Sequence, residues 1–155
     1  MTAAIWPTSP DRASTNSLSK EDPCASINRM SPKKAVIPSR LPTPIGPYSP
    51  AIAVGALCFV SGQIPLPPDG GSIPEGIAAQ TERAIGNLEA VLAEEGLTLA
   101  HVVKISVFLT NLDDFGAMNE IYARRFPEPR PARSVVEVSR LPRGSRIEIE
   151  AIAYR

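Results

Sequence analysis

The sequence predicts a single α/β domain of the mixed α+β kind, a mixed sheet with two helices on one face, in the order β-β-α-β-α-β-β. Three observations carry this. Short alternating apolar runs come in pairs towards both ends of the folded part, two segments with three- and four-residue apolar spacing interrupt them, and Gly, Pro and Asp clusters mark the breaks. The 155 residues suffice for one core, and 43% hydrophobic with 21% charged residues is ordinary for a globular domain.

Residues 1–40, rich in Ser, Thr, Pro and Asn, show neither helical nor strand period, so they are predicted to be a disordered extension. That leaves 41–155 as the domain. Trp6 in the extension reads as an incidental exposed aromatic, and Met30 is an alternative start. The prolines of 41–50 enforce an extended lead-in. Strands at 51–54 and 57–61 flank Gly55-Ala56, a hairpin turn that places glycine first. Pro67-Pro-Asp-Gly-Gly71 marks a surface loop.

From 76 to 95, Ile77, Ala84, Ile85, Leu88, Val91 and Leu92 share one helical face, and Gly96 supplies the stop. Residues 102–110 read as a strand with Val103, Ile105, Val107 and Leu109 on one side. Asp113 and Asp114 are expected to cap a second helix through Phe115, Met118, Ile121, Tyr122 and Phe126, which Pro127 ends. Residues 132–138 and 146–154 are expected to pair as a hairpin across Leu141-Pro-Arg-Gly144. Alternation then sends Ser134, Val136 and Val138 under the helices with Ile147, Ile149, Ala151 and Ala153. It turns Arg133, Val135, Glu137, Glu148, Glu150, Ile152 and Tyr154 to the far face. A far face mixing charges with apolar side chains suits packing against another copy, so a homo-oligomer is expected.

Sixteen basic residues balance sixteen acidic ones and aromatics are 5%, which argues against a nucleic-acid binder. Cys24 and Cys58 do not make a disulfide framework, and there is neither a secretory leader nor an apolar run long enough to span a membrane. A cytoplasmic location is expected. A mitochondrial transit segment is the weaker alternative, because Asp11, Glu21 and Asp22 interrupt a stretch that should lack acids. With one histidine, His101, and no paired cysteine or phosphate-loop motif, no metal or cofactor is expected. Arg133 and Glu148, expected on adjacent strands and on one face, would set a cation beside a carboxylate. Such a pair is either a structural salt bridge or a grip for a small carboxylate with a water nearby.

Several motifs bear on that choice. In order along the chain, Ile45-Gly-Pro-Tyr-Ser49, Val60-Ser-Gly-Gln-Ile-Pro65, Ala78-Ala-Gln80, Asn87-Leu88, Met118-Asn119 with Tyr122, Pro131-Ala-Arg-Ser134, Leu141-Pro142 and Ile147-Glu-Ile-Glu-Ala-Ile-Ala153 resemble the RidA/YjgF family. The resemblance runs from about Leu41 to Arg155. It implies a chorismate-mutase-like fold, a homotrimer with intersubunit sites, and hydrolysis of 2-imino acids or their enamine tautomers to 2-oxo acids and ammonia without metal or cofactor. Carried over residue by residue, it gives Arg133 as the grip on the substrate carboxylate and Glu148 as the residue that positions water. Tyr48, Ser61, Gly62 and Asn119 become further pocket residues. Val135 stands where many members have cysteine, which removes any thiol role there. An arginine pocket that captures 2-oxo acids also suits a non-catalytic binding or regulatory protein, the alternative reading.

Overall fold

The computed structural model describes residues 31–44 and 46–155. Its strands are β1 (Lys34–Val36), β2 (Ala51–Val54), β3 (Leu57–Gln63), β4 (Val102–Leu109), β5 (Ala132–Glu137) and β6 (Ile147–Tyr154). The helices are α1 (Ile77–Ala93) and α2 (Phe115–Arg125). The strands form one sheet in the order β1-β2-β3-β6-β4-β5, with β4 and β5 parallel and every other neighbouring pair antiparallel. The helices pack on each other, and α1 lies across β3 and β6. Between helices and sheet sits one core, in which Ile85, Leu88, Ile105, Val107, Met118, Ile147 and Ile149 are fully buried.

Local chemistry explains most boundaries. At the β2–β3 turn Gly55 has φ 58° while Ala56 keeps a negative φ, which is the glycine-first hairpin geometry. Helix α1 stops where expected, because Gly96 takes φ 67° and the N–H groups of Gly96 and Leu97 donate to the carbonyls of Ala93 and Leu92. The Ala93 carbonyl is thereby satisfied, and that of Leu92, which also accepts from the Glu95 N–H, gains a second donor. Buried amides fasten the following layers: Asn87 Nδ2 donates to the carbonyls of Ile64 and Leu66, and Gln80 joins the carbonyl of Pro74 to the N–H of Arg146.

Five expectations are corrected. The domain begins earlier than Leu41, since Lys34–Val36 pairs with β2 and Val36 is buried. Three residues are too few to show a period, and the strand is held by its neighbour and by Lys34 Nζ on Glu95, 2.8 Å away. The remainder of the predicted extension, 1–30 with Trp6, lies outside the described residues. In β4 a register shift between Val102 and Lys104 buries Val102 and leaves Val103 47% exposed, so Val103 does not share the face of Ile105.

The cap before α2 is Asn111, whose side chain accepts from the Asp113 N–H, while the Asp114 carboxylate is taken up by Arg146 at 2.6 and 3.0 Å. β5 and β6 are not a hairpin, because β4 lies between them. The phase of β5 is also reversed: Arg133, Val135 and Glu137 align with Ile105, Val107 and Leu109 on the helix side, and Val136 faces away, 45% exposed. Glu137 accepts from the Leu112 N–H at 2.8 Å. The far face thus carries Phe59, Lys104, Ser106, Phe108, Ser134, Val136, Glu150 and Ile152, still a mixture of apolar and charged groups.

Candidate functional site

Alternation around two fully buried neighbours fixes Glu148. Ile147 and Ile149 point into the core, so the glutamate between them projects from the opposite side of the sheet, level with Phe108. Across from it β3 is irregular. Val60 pairs with Ala151 and Gln63 with Ile149, so Ser61 and Gly62 together oppose Glu150 alone. This bulge takes backbone groups out of the ladder and turns the strand at the site. Gln63 Nε2 braces it by donating to the Ser61 carbonyl, and Ser61 Oγ donates to the Ser49 carbonyl at 2.8 Å, linking the bulge to the segment that carries Tyr48.

Gly62 has a specific reason to be glycine. Its φ lies outside the left-handed region, but a Cβ there would fall 1.7 Å from Glu148 Oε1 and 2.7 Å from Cδ. The carboxylate lies directly on the bare backbone. Tyr48, Ser61, Gly62, Ile64, Pro142 and Glu148 together line a cavity of about 320 Å³. Burial first, and repulsion from the Glu150 carboxylate second, push the Glu148 carboxyl above its ordinary range. A carboxylate in that condition is a better proton acceptor than an exposed one.

Arg133 sits in a second depression, of about 510 Å³, with Asn119, Tyr122, Ala123, Arg130 and Pro131. Asn119 and Tyr122 are three apart on α2 and so share the face that meets β5. Arg133 Nη1 donates to Asn119 Oδ1 at 2.7 Å, and its guanidinium carbon lies 4.4 Å from the Tyr122 ring centroid and 5.7 Å from that of Phe115. One hydrogen bond and two aromatic faces hold the plane of the guanidinium, which leaves N–H groups on its other edge for a carboxylate. Val135 lines neither cavity; it packs partly against the core, two residues along from Arg133.

The structure therefore brings Tyr48, Ser61, Gly62 and Glu148 together, and Asn119 with Arg133, but it places the two groups on opposite faces of the sheet. The expected face-to-face pair of Arg133 and Glu148 within one chain is not formed. Both belong to strands flanking β4, yet Arg133 aligns with buried Ile105 while Glu148 aligns with Phe108 on the other side. Sequence reasoning left Tyr122, Ile64 and Pro142 out of the site. For Tyr122 the three-residue spacing from Asn119 was the available signal; for Ile64 and Pro142 it was their place in the motifs Val60-Ser-Gly-Gln-Ile-Pro65 and Leu141-Pro142. Among the described residues no three His, Cys, Asp or Glu side chains gather into a metal-binding group, and no helix is long and apolar enough to cross a membrane.

A six-stranded mixed sheet under two helices is also the fold of the solved structures this chain resembles. Residues 39–155 match the family described as Endoribonuclease L-PSP, and the chain belongs to that family, the RidA/YjgF family. A RutC family protein of Pyrococcus abyssi is 52% identical over 124 residues, covering 79% of this chain and 98% of the relative. The 2-iminobutanoate/2-iminopropanoate deaminase of Mus musculus is 42% identical, covering 79% and 92%. The crystal structure of Escherichia coli TdcF with bound serine superposes with a TM-score of 0.76 at 40% identity, covering 79% and 98%. Members of the family thus carry deaminase names, and one has been seen with a small amino acid bound.

Proposed function

We propose that this protein hydrolyses 2-imino acids, or their enamine tautomers, to 2-oxo acids and ammonia, in a site completed between two copies of the chain. The observation that carries the reading is the separation of the two half-sites on opposite faces of one sheet. Each half lacks what the other has: the cation for the substrate carboxylate in one, the seated carboxylate for water in the other. A homotrimer, in which each copy offers its Arg133 side to one neighbour and its Glu148 side to the next, joins the halves at every interface.

In this site Arg133, held by Asn119 and Tyr122, grips the substrate carboxylate. Glu148 holds a water beside C2 and accepts its proton as the oxygen bonds to C2 and the C=N electron pair moves to nitrogen. The proton passes to the amine of the resulting carbinolamine, and as the C2–N bond breaks and ammonia leaves, Glu148 takes the proton of the C2 hydroxyl so that C2=O forms. An iminium carbon is already electrophilic, so orientation and one proton acceptor are the main demands. The hydroxyl proton of Ser61 is committed to Ser49, which leaves Ser61 to accept from the ligand. A ribonuclease reading has less support: the net charge is zero, and His101 is bound up with Thr98 in a turn and lines neither cavity.

The test is ammonia and 2-oxo acid release from freshly generated 2-iminobutanoate, with Glu148→Gln as the variant. Turnover is expected to fall on the order of 10²-fold while affinity for 2-oxobutanoate persists. Tight 2-oxo acid binding with no turnover of any imino acid by the parent protein would instead make it a binding or regulatory protein.

A further inference from the structure

Arg146 stands immediately before β6, two residues ahead of Glu148, and is held from three directions. Its N–H donates to Gln80 Oε1 at 2.8 Å, its carbonyl accepts from the Thr110 N–H at 3.1 Å, and its Nε and Nη2 donate to the two oxygens of Asp114 at 3.0 and 2.6 Å. Such a two-point contact fixes orientation as well as distance. The loop in front is fastened to it: Ser145 is buried and donates from both N and Oγ to the carbonyl of Pro142, which is a wall of the Glu148 cavity. At the other end of the pair, Asp114 is the residue before α2, and its carboxylate is 9% exposed. It makes no capping bond to the helix; the carboxylate is spent on Arg146. That same helix carries Asn119 and Tyr122, which hold Arg133, and begins with Phe115, which faces the same guanidinium. Its far end is tied to α1 through Arg125 on Glu82 and Glu89, so among the described residues Asp114–Arg146 is the ion pair that ties the start of α2 to the strand of Glu148.

We propose that Asp114 and Arg146 are positioning residues for both halves of the site, a brace that holds the Arg133 grip and the Glu148 carboxylate to one frame across the sheet. The proposal rests on the deaminase reading for the reaction that the brace serves. In the proposed trimer each chain lends its two halves to different neighbours, so one brace stands behind two adjacent sites. Loosening it therefore disturbs carboxylate binding through α2 and water placement through β6 together, where a salt bridge with a purely structural role would lower stability and leave the folded protein's site as it was.

Two variants test this. Asp114→Asn keeps the shape and one acceptor but loses the charge, and Arg146→Lys keeps the charge but loses the two-point contact. Both are checked by melting and sedimentation and measured well below their melting points. Calorimetry with 2-oxobutanoate reads the Arg133 half, and titration of the Glu148 carboxyl by difference infrared spectroscopy against Glu148→Gln reads the other; neither needs turnover. Each variant is expected to weaken 2-oxobutanoate binding on the order of fivefold and to move the Glu148 titration. On 2-iminobutanoate each should lower kcat on the order of tenfold and raise KM. On an Arg133→Lys background Asp114→Asn should cost less than about twofold further in affinity, because the held guanidinium through which it acts is gone. Folded, assembled variants whose affinity and Glu148 titration match those of the parent protein overturn the brace, as does an affinity loss that persists in full on the Arg133→Lys background. A parent protein that binds 2-oxobutanoate but turns over no imino acid removes the deaminase reading, and the brace is then decided by affinity and titration alone.

Discussion

Replacing Gly62 by alanine places a methyl carbon 1.7 Å from Glu148 Oε1, where real Cβ contacts are essentially never shorter than 3.0 Å. The backbone at Gly62 is outside the left-handed region, so alanine strains nothing locally and the whole effect falls on the carboxylate. It must retreat by at least about 1.3 Å, the gap between those two distances. A misplacement of about 1 Å in a reacting group costs on the order of 10²-fold in rate, or about 2.7 kcal/mol in the barrier. Stability should change by less than about 1 kcal/mol, since the displaced group is a carboxylate that burial already disfavours. The assay is kcat/KM on 2-iminobutanoate with melting and sedimentation in parallel. The reasoning fails if Gly62→Ala keeps its fold and assembly and loses less than about twofold in kcat/KM.

Because burial and Glu150 raise the Glu148 pKa, the acid limb of the pH–rate profile should lie above the ordinary carboxylate range, and Glu150→Gln should move it to lower pH. The same shift sets a stability sign. A carboxyl whose folded pKa is raised is ionised at a cost as pH rises through that value, so Glu148→Gln should stabilise the fold at neutral pH. The gain should vanish as pH falls to the ordinary range, a difference that paired melts across pH will read. Arg133→Lys should cut kcat/KM on the order of 10²-fold with assembly intact, because an ammonium lacks the planar two-point grip; steady-state kinetics check it. Among the described residues the buried Tyr122 Oη has no hydrogen-bond partner, so Tyr122→Phe should keep the ring under Arg133, leave kinetics unchanged and raise stability by up to about 1 kcal/mol in denaturant titrations.

What the sequence made legible was what short-range chemistry decides. Helix α1 and its stop at Gly96, the Gly55 turn and the alternation of Ile147 to Tyr154 each depend on residues within one element. What it hid depends on pairing between distant segments. The insertion of β6 between β3 and β4 leaves no local trace, and adjacency along the chain favoured a β5–β6 hairpin instead. β5 is an edge strand with apolar Val135 and Val136 side by side, so its phase is set by alignment with Ile105 and Val107 and not by its own pattern. That single reversal decides whether Arg133 and Glu148 share a face. The residues were legible as a set; their division into two half-sites was not.

Mixing two impaired variants tests the proposed shared site most directly. Arg133→Ala and Glu148→Gln chains, each assayed alone, are combined in equal amounts, unfolded and refolded together. If every site takes Arg133 from one copy and Glu148 from its neighbour, random assembly restores both residues in about a quarter of the sites, and activity should recover to about that share of the parent protein. Activity in the refolded mixture no greater than the mean of the two variants would contradict a site built between copies.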